Sequence, residues 1–268
     1  MPTALITGAT AGLGKAFAQT LAAEGTGLVL VARSDRDLKE LAGALREEHG
    51  VAVEVLPADL STDDGCAAVA ARLAVGPVAE RTDPPPVDLL VNNAGIGHER
   101  PFLANGIAAE ERLLDLNVRA VLRLTDAALG TMTGRGHGSI LNVASVAGVG
   151  PSWLSSTYPA SKAWVISFTE SLAYSRQVRD AGVRMTALLP GYTRTEFHQR
   201  AGIPTTFPPS YLWLNSADVV RTGLADLRRG RVVSIPSLRY KAAAWALRHL
   251  PRGLSRQGAW DISADARS

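Results

Sequence analysis

Cysteine is nearly absent from this chain of 268 residues, which contains only Cys66. A single thiol excludes an internal disulfide and a zinc site built from several cysteines, so we expect no resident metal and a reducing compartment. The chain also lacks a basic n-region before its first apolar run and any stretch of roughly 20 apolar residues that could span a bilayer. We therefore expect a cytoplasmic protein.

Excess charge of one sign is lacking as well. The formal net charge is +3, from 28 basic and 25 acidic residues, and no stripe of basic residues accompanies it, so we expect no nucleic-acid partner. Hydrophobic residues make up 46% of the chain, too many for a disordered protein. Lysine occurs only four times, so each lysine is a candidate for a specific role.

The chain instead contains short apolar runs that alternate with longer helical patterns. The predicted strands cover 3–7, 27–32, 51–57, 87–91, 139–143, 183–189 and 231–235. The predicted helices cover 13–24, 37–49, 63–73, 107–131, 156–181 and 217–229. Strands that are apolar almost throughout are typical of parallel sheets covered on both faces. The alternation predicts an α/β fold with right-handed crossovers and a doubly wound sheet, in one domain spanning 1–268.

A glycine-rich turn joins the first predicted strand to the first helix over residues 7–14. Glycines let the backbone approach a ligand, and the free N–H groups at a helix start favour a pyrophosphate. The spacing G-x-x-x-G-x-G differs from the usual dinucleotide fingerprint, and a purely structural tight turn is the alternative. The required strand before and helix after are present. The predicted nucleotide contacts in this turn are Gly8, Thr10, Ala11, Gly12, Leu13 and Gly14.

The second predicted strand ends at Ala32 and is followed by Arg33, with no acid at the strand end. An acid there binds the ribose of NAD, whereas an arginine accommodates the 2′-phosphate of NADP. We therefore predict a preference for NADP(H), with NAD(H) as the second possibility, and place Arg33 and Ser34 at the nucleotide. Ser34 also matches the N-cap of the next helix. Asp35 is interpreted as a first-turn helix charge, the alternative being a contact with the ribose.

Tyr158 and Lys162 lie four residues apart in a predicted helix and therefore share one face. A tyrosine has an ordinary pKa of about 10, and a neighbouring ammonium should lower that pKa by about 2–3. Ser145 follows the fifth predicted strand, at the edge where α/β folds bind ligands. Asn117 lies within the long fourth helix, where a kinking or capping residue is the alternative. An ordinary surface pair is the alternative for Tyr158 and Lys162.

Together these motifs resemble the short-chain dehydrogenase/reductase family. The resemblance rests on 7–14, 92–95, Asn117, Ser145, 158–162 and 190–195, in family order, and spans about 3 to 235. It implies a seven-stranded parallel Rossmann sheet and hydride transfer between a nicotinamide and a carbonyl or alcohol carbon. It also implies a homodimer or homotetramer that pairs through the fourth and fifth predicted helices.

The resemblance further implies a role for each matching residue. Tyr158 would be the general acid/base, Ser145 would orient the substrate oxygen, and Asn117 would anchor a water in a proton relay. Lys162 would lower the pKa of the tyrosine and bind the nicotinamide ribose. NADP-preferring relatives often carry a basic residue where this chain has Ala11. The remaining implied nucleotide contacts are Asp59, Leu60, Asn93, Ala94, Gly95, Pro190, Gly191, Thr193 and Thr195.

Apolar side chains concentrate after Ser145 and in a substrate-loop region, 192–215. They predict a bulky hydrophobic substrate, such as a 3-oxoacyl, steroid-like or polyketide ketone, contacted by Ser145, Trp153, Tyr158 and Tyr192. Ordinary core or subunit-contact residues are the alternative. The set is Val146, Val149, Trp153, Leu154, Tyr192, Phe197, Ile203, Phe207, Tyr211, Leu212 and Trp213.

The C-terminal extension, 237–268, mixes apolar and basic residues over 237–256. A basic amphipathic helix can lie on a membrane surface, although a subunit contact or a substrate lid is the favoured interpretation. Two other functions remain open, a non-catalytic nucleotide-sensing relative and an isomerase or dehydratase with a tightly bound nucleotide. The presence of both Tyr158 and Lys162 argues against the first, and the short chain argues against the second.

Overall fold

Seven parallel strands form one sheet in the computed structural model, which describes residues 2–76, 84–98, 102–150, 156–195 and 209–249. The strands are β1 (Thr3–Thr7), β2 (Gly27–Ala32), β3 (Val53–Pro57), β4 (Leu89–Asn92), β5 (Gly138–Val143), β6 (Val183–Leu188) and β7 (Val233–Ser234). Their order across the sheet is β3-β2-β1-β4-β5-β6-β7. The doubly wound Rossmann fold predicted from the apolar runs is confirmed.

Helices cover both faces of this sheet. They are α1 (Gly12–Ala23), α2 (Asp35–His49), α3 (Asp63–Leu73), α4 (Phe102–Asn105), α5 (Ile107–Leu114), α6 (Ala120–Arg135), α7 (Tyr158–Tyr174), α8 (Arg176–Asp180), α9 (Ser216–Arg228) and α10 (Leu238–His249). One apolar cluster buries Phe17, Leu38 and Leu224 on one face, and a second buries Val69, Leu124 and Cys66 on the other. Cys66 is thus a small buried core residue.

The region predicted as one helix over 107–131 is divided. A π-helical turn, Asp115–Arg119, lies between α5 and α6. It carries Asn117, which is fully buried. The helix predicted over 156–181 is also divided, since Ser175 has an extended backbone and caps α8 through its hydroxyl.

The strand order reverses between β1 and β4, because the chain first proceeds outward through β2 and β3 and then returns to the other side of β1. In doubly wound sheets, such a reversal opens a crevice at the carboxyl ends of the strands, where ligands bind. The turn after β1, the segment after β4 and the loops after β5 and β6 all lie at this edge.

The C-terminal extension is described only as far as α10. Leu238 and Trp245 on this helix are exposed, whereas Ala244 is buried. Across the described ranges, no helix is both long enough and apolar enough to cross a membrane. The rest of the predicted extension, 250–268, lies outside the described residues.

Candidate active site

The glycine-rich turn wraps closely around the start of α1. Gly8 and Gly12 have positive φ values of 64° and 54°, which side chains rarely adopt. At Gly14, a Cβ would overlap the carbonyl of Gly8. Ala11 stands at the N-cap of α1 and has no polar side chain to cap it. The N-terminus of α1 thus lies at the carboxyl end of β1, where the crevice opens. Thr10, Ala11 and Leu13 are partly exposed around it.

The turn is held against the end of β4 by hydrogen bonds. The Thr7 hydroxyl accepts from the N–H groups of Asn93 and Ala94, both at 2.9 Å. The Asn93 side chain donates to the Thr7 carbonyl at 2.9 Å, so its amide supports the turn. On the other side, a Cβ on Gly12 would lie 3.1 Å from Cβ of Thr195. The structure thus brings the turn, 93–95 and 190–195 together.

Arg33 lies exposed beyond the end of β2, near Asp59. Burial acts to raise the pKa of Asp59, but hydrogen bonds from Ser61 and the charges of Arg112 and Arg33 outweigh it and leave that pKa lowered. Arg112 forms an ion pair with Asp59 at 3.1 Å. Two cationic side chains and one carboxylate therefore share this end of the crevice.

The neighbouring residues differ in their roles. The Ser34 hydroxyl accepts from the Asp37 N–H at 3.2 Å and caps α2, as predicted. Asp35 pairs with Lys39 at 2.7 Å on the exposed face of α2, which matches its interpretation as a helix charge. Leu60 is buried.

Tyr158 and Lys162 converge as the helical spacing predicted. The Lys162 Nζ lies 5.7 Å from the centroid of the Tyr158 ring and donates to the Val143 carbonyl at 2.9 Å. Burial lowers the pKa of Lys162 from 10.5 to about 8. The Ser145 hydroxyl, at the start of a 3₁₀ turn (Val146–Gly148), accepts from the Ala147 N–H at 3.1 Å. Ser145 also forms a side-chain hydrogen bond with Tyr158.

The expected lowering of the tyrosine pKa is wrong. Burial raises the pKa of Tyr158 to about 12, the hydrogen bond with Ser145 opposes this increase, and the nearby Tyr192 adds to it. A phenolate would lose its hydration in this position, and this loss decides the direction of the shift. Tyr158 is therefore a protonated phenol at neutral pH.

Asn117 is oriented by three hydrogen bonds. Its side-chain oxygen accepts from the Ile96 N–H at 2.9 Å, and its nitrogen donates to the Ile96 carbonyl at 2.9 Å and to the Ser161 hydroxyl at 3.2 Å. A Cβ on Gly95 would lie 3.0 Å from Oδ1 of Asn117 and 3.5 Å from Nζ of Lys162. Gly95 therefore allows the segment after β4 to approach both side chains. Of the alternatives of a kinking or capping residue, capping is not what the structure shows, whereas Asn117 does lie in the π-helical turn that divides the predicted helix.

Glu110 is a buried carboxylate beside this group that the sequence analysis missed. It accepts from the N–H and the hydroxyl of Thr157, the residue before Tyr158, and from the side chain of Asn105. Burial acts to raise the pKa of Glu110, but the hydrogen bonds from Thr157 and Asn105 outweigh it and leave the pKa lowered. Glu110 thus holds the start of α7 as an ionised group.

The segment after β6 contributes another aromatic group. Pro190 and Thr193 are buried, and the Thr193 hydroxyl donates to the Gly191 carbonyl at 3.0 Å. The rings of Tyr192 and Trp213 lie 5.7 Å apart at an angle of 57°. Tyr192 is also near enough to Tyr158 to affect its pKa. Of the predicted substrate residues, Ser145, Tyr158 and Tyr192 therefore lie in one region.

The other described residues of the predicted substrate set differ in how deeply they are buried. Val146 and Val149 are partly buried beside the Val165 and Ile166 cluster of α7. Tyr211 is largely exposed, and Leu212 is partly buried. The remaining predicted residues, Trp153, Leu154, Phe197, Ile203 and Phe207, lie outside the described residues.

Comparison with known proteins gives consistent results. A family model described as short chain dehydrogenase matches residues 2–203. A very-long-chain 3-oxoacyl-CoA reductase of Anas platyrhynchos is 32% identical over 197 residues. That match covers 72% of this chain but only 60% of the Anas protein.

Solved structures match over more of the chain. A short-chain dehydrogenase from Sphingobium yanoikuyae in complex with NADPH superimposes with a TM-score of 0.83 and 37% identity, over 96% of each chain. A bulky-bulky ketone specific alcohol dehydrogenase from Comamonas testosteroni has a TM-score of 0.77 and 33% identity, over 92% of each chain.

Proposed function

This chain belongs to the short-chain dehydrogenase/reductase family, and from that premise we propose that it interconverts a bulky apolar ketone and its secondary alcohol with NADP(H). The observation that carries the proposal is the convergence of Tyr158, Lys162 and Ser145 at the sheet edge that also bears the glycine-rich turn. The family binds NAD(P). The preference for NADP(H) over NAD(H) and the identity of the substrate are part of the proposal.

The residues around the turn fit a dinucleotide. Gly8, Gly12 and Gly14 let the turn pack closely, because a Cβ at these positions would meet Ala94, Thr195 and the Gly8 carbonyl, respectively. The N-terminus of α1 at this turn favours a pyrophosphate. The bound nicotinamide supplies or accepts the hydride. Gly95 and the segment 190–195 border the same space, and Lys162 is the donor that would hold a ribose hydroxyl.

Tyr158 supplies the proton in the reducing direction. Its pKa of about 12 keeps it protonated at neutral pH, so it can donate to a carbonyl oxygen as that oxygen gains charge. Ser145, hydrogen-bonded to Tyr158, offers its hydroxyl to the same oxygen. The Lys162 ammonium beneath the ring stabilises the negative charge that remains on the phenol oxygen. Asn117 keeps Ile96 and Ser161 in place around this group.

Arg33 supports the choice of NADP(H). It is the exposed cation at the end of β2, no carboxylate ends that strand, and its planar guanidinium suits a phosphate. The ion pair between Arg112 and Asp59 neutralises the acid whose pKa the Arg33 charge lowers. A 2′-phosphate would therefore meet a net positive environment.

The aromatic pair of Tyr192 and Trp213 supports a bulky apolar substrate. Two compared proteins act on related chemistry by their names, a very-long-chain 3-oxoacyl-CoA and bulky-bulky ketones. Pairing of two copies through α5, α6 and α7 remains part of the proposal. Exposed Ile107, Leu114 and Leu122 on α5 and α6 support it.

Tyr158→Phe tests the proposal, because it removes the transferable proton and keeps the ring. We expect turnover of ketones with NADPH to fall by about 10²–10⁴-fold while NADPH binding is retained. The exposed Tyr174 on the same helix provides the control, Tyr174→Phe, which should leave both unchanged. Equal turnover of the wild type and Tyr158→Phe would remove Tyr158 from the reaction.

A further inference from the structure

The C-terminal helix α10 reaches the connection between β6 and α9 through one side chain, Tyr240. Its hydroxyl accepts from the Tyr192 N–H at 3.1 Å and donates to the Leu212 carbonyl at 3.0 Å. Tyr192 and Leu212 stand near the two ends of that connection. One phenol therefore joins both ends, and both of its hydrogen-bonding functions are used.

The Tyr240 ring also lies directly against Gly191. A Cβ at position 191 would overlap three carbons of that ring. Gly191 belongs to the segment proposed to border the nicotinamide, so the ring contacts the backbone there without any intervening side chain. Glycine at 191 is required by this approach.

The same helix contacts the loop that follows Ser145. A Cβ at Gly150 would lie 3.0 Å from Cβ of Leu247. Leu247 lies about two turns beyond Tyr240 on α10. The helix therefore packs on both loops that border the proposed substrate pocket, one after β5 and one after β6.

The residue that Tyr240 fixes is next to the proposed proton donor. The phenol of Tyr192 lies near enough to both Tyr158 and Tyr240 to raise the pKa of each. Its ring also packs near Trp213. The backbone of Tyr192 is further held by the Leu214 N–H, which donates to its carbonyl at 2.8 Å.

We propose that Tyr240 is a positioning residue for the ketone pocket: by joining Tyr192 to Leu212 it fixes the wall that faces Tyr158 and so determines how well bulky substrates fit. This inference rests on the proposed function. The C-terminal helix α10 thereby forms a fixed wall of the site.

Tyr240→Phe is the test, because it keeps the ring on Gly191 and removes the hydroxyl. The loss of one or two net hydrogen bonds corresponds to about a 5- to 30-fold effect. We expect KM for a bulky ketone to rise by that factor, with kcat and NADPH binding retained. Tyr174→Phe, on an exposed tyrosine, is the matched control.

Amide hydrogen exchange provides a readout that does not depend on activity. In Tyr240→Phe the Tyr192 amide loses its acceptor and should exchange faster by a similar factor. The Ala187 amide, which donates to the Val232 carbonyl within the sheet, should not change. It serves as the internal check that the variant is folded.

The outcomes separate the two proposals. If the wild type is active and Tyr240→Phe has the same KM, the positioning role is overturned, whether or not exchange of the Tyr192 amide changes. A wild type that reduces no ketone overturns the proposed function, and the Tyr192 amide then still reports whether the hydroxyl joins the two ends. An increase in both KM and exchange supports the inference.

Discussion

The buried charge of Lys162 makes this protein less stable than it would be without it, and Lys162→Met measures by how much. Burial lowers the pKa of this lysine from 10.5 to about 8. Such a shift corresponds to about 3 kcal/mol of unfavourable free energy when the side chain is charged. Methionine has a similar shape and carries no charge to desolvate. The hydrogen bond to the Val143 carbonyl is lost, at a cost of about 1 kcal/mol.

Lys162→Met is therefore expected to be about 2 kcal/mol more stable than the wild type near neutral pH, which raises Tm by about 4–8 °C. Its turnover should be largely lost. The gain depends on pH, because the folded state releases the Lys162 proton at about pH 8 and the unfolded state only near 10.5. Between these values the unfolded state binds more protons, so wild-type stability rises with pH and the difference between the two proteins shrinks.

Urea unfolding of both proteins across this pH range measures the difference directly. The exposed Lys241 on α10 provides the control, and Lys241→Met should show no stability gain. A Lys162→Met protein that is less stable than the wild type, or a difference that does not vary with pH, would refute the argument from burial.

Three further predictions concern binding, pH and the start of α7. Arg33→Ala should weaken NADPH binding by about 10- to 100-fold while leaving NADH nearly unaffected; equal losses by titration would point to another determinant such as Asp35. Ketone reduction should lose about tenfold in kcat/KM per pH unit above about 8, as Lys162 loses its proton, and a profile that stays flat to pH 10 would contradict this role. Glu110→Gln should destabilise the fold by about 2 kcal/mol, unlike the exposed control Glu111→Gln. Because the pKa of Glu110 is lowered in the folded state, the stability that its charge contributes is present above the ordinary glutamate pKa and is lost as pH falls through the folded value. Equal stabilities of the wild type and Glu110→Gln in urea at neutral pH would contradict this prediction.

The apolar runs of the sequence predicted the strands of the sheet closely, because strands buried on both faces leave little choice of residue. β1 and β2 match their predicted ranges. β7 is shorter than predicted, at Val233–Ser234. The π-helical turn around Asn117 could not be predicted, since one widened turn leaves the 3.6-residue pattern of apolar positions nearly unchanged.

Short motifs also predicted the residues that meet at the candidate site, because Tyr158 and Lys162 are neighbours on one helix. Glu110 and Tyr240 carry no such local signal. They contact Thr157 and Tyr192, which are 47 and 48 residues away in the chain. The direction predicted for the shift of the Tyr158 pKa was also wrong, for a related reason. Burial depends on the packing of several elements, whereas the lysine charge could be read from spacing alone.

Hydrogen bonds from α5 and from the π-helical turn hold α7 at two positions along its axis, one on each side of Tyr158. Glu110 binds Thr157, and Asn117 binds Ser161 about one helical turn further along. Apolar contacts alone permit packed helices to shear past each other by small amounts, whereas hydrogen bonds are directional. Hydrogen bonds at these two positions oppose both axial displacement of α7 and its rotation about its own axis. We therefore expect the phenol oxygen to keep its position relative to α5 and the π-helical turn when ligands of different size bind.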